Sequence, residues 1–157
     1  MAVDYTVLKA ALLAETDPTF VTHRDNGDTT RMAEWLNGDS AFIVWKTRLT
    51  VKEMASAYVW TEMDSFTNAA KQYQFTLMRE AGEINPADAN VRSGLNEIFA
   101  GGGLATTRAN LVALCKRAAT RGEKVFATGT GTDGSPGTLT FEGALSSTDV
   151  ANALYNT

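Results

Sequence analysis

The sequence predicts a mostly α fold, a single domain of six to seven helices with one small β-hairpin near the C-terminus. Three observations lead there. Apolar residues recur at helical spacing behind capping residues for most of the chain before Gly122. A ten-residue run, Thr128 to Gly137, holds four glycines, one proline and no apolar side chain, between the short alternating pieces Val125–Ala127 and Thr138–Glu142. Finally, 157 residues that are 44% hydrophobic can bury one core without disulfides or metals. The expected domain is 1–157, with the hairpin at about 124–143 as a projecting element.

Asp4 can cap a first helix from Tyr5 to about Glu15, and Asp17-Pro18 ends it. Phe20 to Asn26 reads as a connector. Asp28 caps a second helix, Thr29 to Leu36, and Asn37-Gly38 stops it. The apolar run Ala41–Trp45 fits a buried strand by its length. Thr50 and Glu53 have capping-box spacing and open a third helix through Met54, Ala57, Tyr58 and Trp60. Asp64 or Ser65 starts a long fourth helix to Ala81, and Asn90 caps a fifth, Val91 to Phe99. After Gly101-Gly-Gly103, Thr106 or Thr107 opens a sixth helix through Leu111, Leu114, Cys115 and Ala118, stopped at Gly122. Ser146 and Asp149 box a last short helix, Val150 to Leu154. Trp60, Tyr73, Leu77, Leu95, Phe99, Leu111, Leu114 and Phe126 fall on inward faces and should form one cluster.

The formal net charge of −4 argues against nonspecific nucleic-acid binding, which wants a clearly basic face. One cysteine, Cys115, rules out a disulfide framework, and one histidine, His23, cannot complete a Cys/His zinc site. No run approaches a membrane span, and Met1-Ala-Val-Asp-Tyr5 lacks the basic and apolar regions of a signal peptide, so a cytoplasmic site of synthesis and residence is expected.

Gly129-Thr-Gly-Thr-Asp-Gly134 resembles a phosphate cradle only superficially, because it returns into a second strand instead of opening a helix and has no Lys-Ser/Thr pair. Glu62, Asp64, Glu80, Glu83 and Asp88 lie at helix ends, where carboxylates normally cap. No catalytic residue, metal ligand or cofactor site is expected. Basic residues gather around Trp45 (Lys46, Arg48, Lys52) and along the sixth helix, where Arg117 and Arg121 would share a face and Lys124 follows. A solvated face is the plainer reading; a charged contact for an acidic neighbour is the functional one. The candidate interface is therefore Trp45, Lys46, Arg48, Arg117, Arg121 and Lys124, with the loop residues Thr130, Thr132, Asp133 and Ser135. With no apolar side chain to fold against the body, that loop should be mobile until a partner orders it.

The order of several segments carries a resemblance. Leu8-Lys-Ala-Ala-Leu12, Met32-Ala-Glu-Trp-Leu-Asn37, Val44-Trp-Lys-Thr47, Trp60-Thr-Glu-Met63, Ile84-Asn-Pro86, Asn90-Val-Arg-Ser-Gly-Leu95 and Ile98-Phe-Ala-Gly101 resemble a family of small, mostly uncharacterised structural proteins of tailed bacteriophage virions, over roughly residues 5 to 127. The resemblance implies a non-enzymatic virion protein, a repeated subunit in the tail or neck at the head–tail connection. Its partners would be other virion proteins and copies of itself in a ring-like assembly, not a membrane and not DNA. It would be made in the host bacterial cytoplasm and carried in the virion. The alternatives are a small cytoplasmic phage regulator or nucleic-acid-binding module, and an enzyme whose site has no recognisable pattern.

Overall fold

Side-chain caps start most of the helices. The structure, a computed structural model, describes residues 2–156. Among these the chain forms ten helices and six short strands. The helices are α1 (Tyr5–Ala14), α2 (Pro18–Asp25), α3 (Thr29–Leu36), α4 (Val51–Ala55), α5 (Trp60–Met63), α6 (Ala69–Glu80), α7 (Ala89–Ile98), α8 (Ala105–Leu114), α9 (Arg121–Val125) and α10 (Ser147–Tyr155). The strands are β1 (Asp39–Trp45), β2 (Leu49–Thr50), β3 (Glu83–Ile84), β4 (Lys116–Thr120), β5 (Ala127–Thr128) and β6 (Thr138–Leu139), paired as β1–β4, β2–β3 and β5–β6.

The fold is mostly α, as expected, but it has more helices than the six to seven the sequence suggests. Asp4 accepts the amides of Thr6 and Val7, and Asp28 that of Arg31. The boxes at Thr50/Glu53 and Ser146/Asp149 form in full. Several starts differ from the sequence reading. α6 starts behind Asn68, not Asp64 or Ser65, α7 behind Asp88, not Asn90, and α8 at Ala105, ahead of Thr106. Asp17-Pro18 opens α2 instead of merely ending α1: the Asp17 carboxylate accepts from Thr19 and Phe20. Proline suits the first helical position because no partner is needed there for the missing N–H. The expected sixth helix breaks after Leu114, its continuation becoming β4, and a third box, Thr120/Glu123, starts α9. The expected third helix likewise stops at Ala55 and resumes as the separate turn α5.

The hairpin is smaller than expected. β5 and β6 pair through Ala127↔Leu139 and Thr128↔Thr138 only, because the residues up to Val125 belong to α9. Nor does the loop between them project. The Ile43 N–H donates to the Gly131 carbonyl at 2.8 Å, the Gly137 N–H donates to the Ile43 carbonyl at 2.8 Å, and Val44 and Gly137 form a parallel bridge. Glycine makes this possible. A Cβ at Gly131 would overlap the Phe42 ring, and one at Gly137 would sit 2.6 Å from both that ring and the Thr128 carbonyl oxygen. The loop needs no apolar side chain because its bare backbone packs on Phe42.

The chain divides into two compact units, Met1–Val44 with Ala118–Thr157, and Trp45–Arg117, and the buried side chains form two clusters where one contiguous cluster is expected. In the first, Leu8, Leu12, Phe20, Met32, Leu36 and Val150 bury the facing sides of α1, α2, α3 and α10, and Phe126 joins them beside Phe141. In the second, Phe99 is fully buried, stacked 5.7 Å from Phe66 and edge-on to Phe75 at 5.3 Å, with Leu95, Leu111 and Cys115 around them. Burying one such side chain contributes about 1.5–3 kcal/mol. Three residues expected in the core are exposed: Trp60 at 68%, Tyr73 at 65% and Leu77 at 49%. For Tyr73 and Leu77 the cause is rotational. α6 begins after the Asn68 cap and turns Phe75 inward, which leaves Tyr73 and Leu77, four residues apart, on its outer face.

α8 begins without a cap of its own, since Leu104 has none to offer. Glu62 of α5 supplies it from outside, accepting the amides of Thr106 at 3.1 Å and Thr107 at 2.7 Å. A hydrogen bond from the Thr106 side chain, reinforced by those amides, holds the Glu62 carboxyl down to about 2 from 4.5.

Candidate functional site

The expected contact residues fall into three places. The first surrounds Trp45, the last residue of β1. The strand's pairing continues one step beyond it, where the Lys46 N–H donates to the Cys115 carbonyl at 2.8 Å. Trp45 is half-buried and packs on the core of the Trp45–Arg117 unit. Its ring lies 4.6 Å from the Arg92 guanidinium of α7 and 5.9 Å from the Lys116 ammonium at the start of β4. Such cation–π contacts favour a positive charge over an indole face. An open pocket of about 380 Å³ beside them is lined by Lys46, Lys116, Ser56 and Asn110. A smaller one of about 120 Å³ is lined by Trp45, Arg92 and Cys115. Among the described residues, no Asp or Glu lines either pocket. Burial pushes the Cys115 thiol up to about 11 in spite of the three neighbouring cations Lys46, Arg92 and Lys116, which favour its ionised form.

Arg48 does not join this group. It is exposed and paired with Glu83, whose carboxylate raises its pKa through a hydrogen bond and charge. Exposed pairs of this kind contribute little.

The second place corrects an expectation. Arg117 and Arg121 do not share a helix face: Arg117 lies on β4 and Arg121 is the first residue of α9. Arg121 is held inside its unit. Its guanidinium stacks 4.6 Å over Trp35 and donates to the Trp35 carbonyl at 3.0 Å, and its backbone N–H donates to the Gly38 carbonyl at 2.9 Å. It thus ties down the end of α3. Lys124 is exposed on α9, and with Arg121 and Trp35 it lines a cavity of about 450 Å³ that also takes in Glu15, Asp17 and Asp39.

The third place is the loop tip. Thr130, Thr132, Asp133 and Ser135 are exposed, but the tip is closed on itself. The Thr130 hydroxyl donates to the Ser135 carbonyl at 2.9 Å, and the Ser135 N–H to the Thr132 carbonyl at 3.1 Å. The backbone of Gly131 and Gly137 reaches β1.

Arg92 is the residue that sequence reasoning missed. It reads as an ordinary polar position of α7, and nothing in the spacing links it to Trp45. Among the described residues no three His, Cys, Asp or Glu side chains are grouped to hold a metal ion, and no helix is long and apolar enough to cross a membrane. No protein-family model, curated protein or solved structure matches the chain.

Proposed function

We propose that this chain is a non-enzymatic structural protein of a bacteriophage virion, a repeated subunit of the tail or neck at the head–tail connection that acts through protein–protein contacts. The resemblance of residues 5 to 127 to small virion proteins supports the setting. The contact role rests on the large side chains held in solvent: Trp60 at 68%, Tyr155 at 66% and Tyr73 at 65% exposure. Tryptophan and tyrosine are among the side chains that most often anchor an interface.

Quantitative mass spectrometry of purified virions tests this reading. The expected result is several copies of the chain per particle. Its absence from virions, while abundant in infected cells, sinks the proposal. The cations around Trp45 favour a second reading, a small cytoplasmic regulator or nucleic-acid-binding module, whose signature is DNA affinity that falls steeply with salt.

A further inference from the structure

Charge is divided unevenly between the two units. The unit Trp45–Arg117 carries nine Lys and Arg against seven Asp and Glu, a formal +2; the other carries five against eleven, a formal −6. The net −4 of the whole chain conceals this polarity. In the positive unit three cations gather from three elements: Lys46 after β1, Arg92 of α7 and Lys116 of β4. Two of them lie over one indole ring, beside a pocket with no carboxylate in its wall among the described residues. In the negative unit Glu15, Asp17 and Asp39 line a single cavity.

From this polarity we infer that the basic Trp45 face of one copy receives the acidic unit of a second copy. This rests on the assembly reading above and names the surface it uses. A contact between unlike surfaces is either made twice in a closed two-fold pair or, made once per pair, repeats into a ring or a filament. Complementary fields speed the encounter of unlike faces and penalise like ones, so basic-to-basic pairing is disfavoured. A second copy fits better than nucleic acid because the complementary charge is carried by the chain itself. The negative unit would also repel a polyanion over a Debye length of roughly 8–10 Å at ordinary ionic strength.

The test is sedimentation of the full chain at about 0.01 M and about 1 M salt, where the Debye length is roughly 30 Å and 3 Å. The chain should associate in the first and dissociate at least tenfold more readily in the second. Lys46→Glu/Lys116→Glu should be monomeric in both. Lys52→Glu/Arg79→Glu makes the same change in charge on two exposed cations of the positive unit that line neither pocket beside Trp45, and should still associate. If circular dichroism shows that the first pair does not fold, Lys46→Gln/Lys116→Gln replaces it. Cross-linking a mixture of isotopically labelled and unlabelled copies should join the acidic unit of one to the basic unit of another. A chain that stays monomeric at low salt overturns the inference, as does a Lys46/Lys116 variant that associates like the wild type. Cross-links between two basic faces do the same. Salt-sensitive binding of a short DNA duplex, lost in the Lys46/Lys116 variant, overturns it in favour of nucleic acid. A chain abundant in virions but monomeric at low salt would sink this inference and leave the assembly reading standing.

Discussion

Replacing Gly137 by alanine asks whether the contact of the Thr128–Gly137 loop with β1 is structural. The added Cβ would lie 2.6 Å from a ring carbon of Phe42 and 2.6 Å from the Thr128 carbonyl oxygen, more than half an ångström inside any comfortable contact. The ring can turn but the carbonyl is backbone, so loop and strand must part. Overpacking of this kind costs about 1–3 kcal/mol. Parting also strains the hydrogen bond from the Gly137 N–H to Ile43, a further ~0.5–1.5 kcal/mol. Alanine restricts the unfolded chain and returns ~0.4–1 kcal/mol. The net expectation is a loss of about 2 kcal/mol, within a span of roughly 0.5–4 kcal/mol. Gly134, in the same loop, is the control: a Cβ there meets nothing within 4 Å. Gly134→Ala should lie within about 0.5 kcal/mol of the wild type. Urea unfolding followed by far-ultraviolet circular dichroism measures both. If Gly137→Ala unfolds within about 0.5 kcal/mol of Gly134→Ala, the loop is not held on Phe42 and the steric argument fails.

Further predictions concern the two cores and one cap. Phe99→Ala removes a fully buried ring that touches Phe66 and Phe75, and should cost about 3–5 kcal/mol in the same urea assay; a loss below about 1 kcal/mol contradicts the packing. Arg121→Ala removes both the stack on Trp35 and a hydrogen bond to its carbonyl, for an expected loss of about 1–2 kcal/mol, where a free surface arginine would cost nearly nothing. Glu62 has a folded pKa near 2, below its ordinary 4.5, so the stability it contributes is complete above 4.5 and drains away as pH falls toward 2. Thermal midpoints measured across that range should fall less steeply for Glu62→Gln than for the wild type; parallel curves would show that the carboxylate does not cap α8.

What the sequence discloses about this fold depends on how local the cause is. Asp4, Asp28, Thr50/Glu53 and Ser146/Asp149 act within four residues, and each helix start they predict is found. Asp17-Pro18 and Thr120/Glu123 are equally local, but the first also serves as a stop for α1 and the second lies where the helical spacing of the preceding residues continues. Lys116–Thr120 is different. Four of its five residues (Lys116, Arg117, Ala118 and Ala119) favour helix, and the pairing with β1 overrides that preference. The same limit applies to the site. Trp45 and Lys46 could be picked out by composition, but Arg92 reaches Trp45 only through tertiary structure. Helical spacing places residues on faces without saying which of two cores a face joins, so Phe126 and Phe99 read alike from the sequence and lie in separate clusters.

The lone thiol has a use of its own. Cys115 is 1% exposed and needs a pH near 11 to ionise in place, so a thiol reagent at neutral pH meets neither an accessible sulfur nor a thiolate. Labelling must wait for the Trp45–Arg117 unit to open. Under fast reclosing, the labelling rate divided by that of the unfolded chain gives the free energy of that opening directly. The chain therefore carries a native gauge, with no introduced probe, of any opening that exposes the core around Cys115.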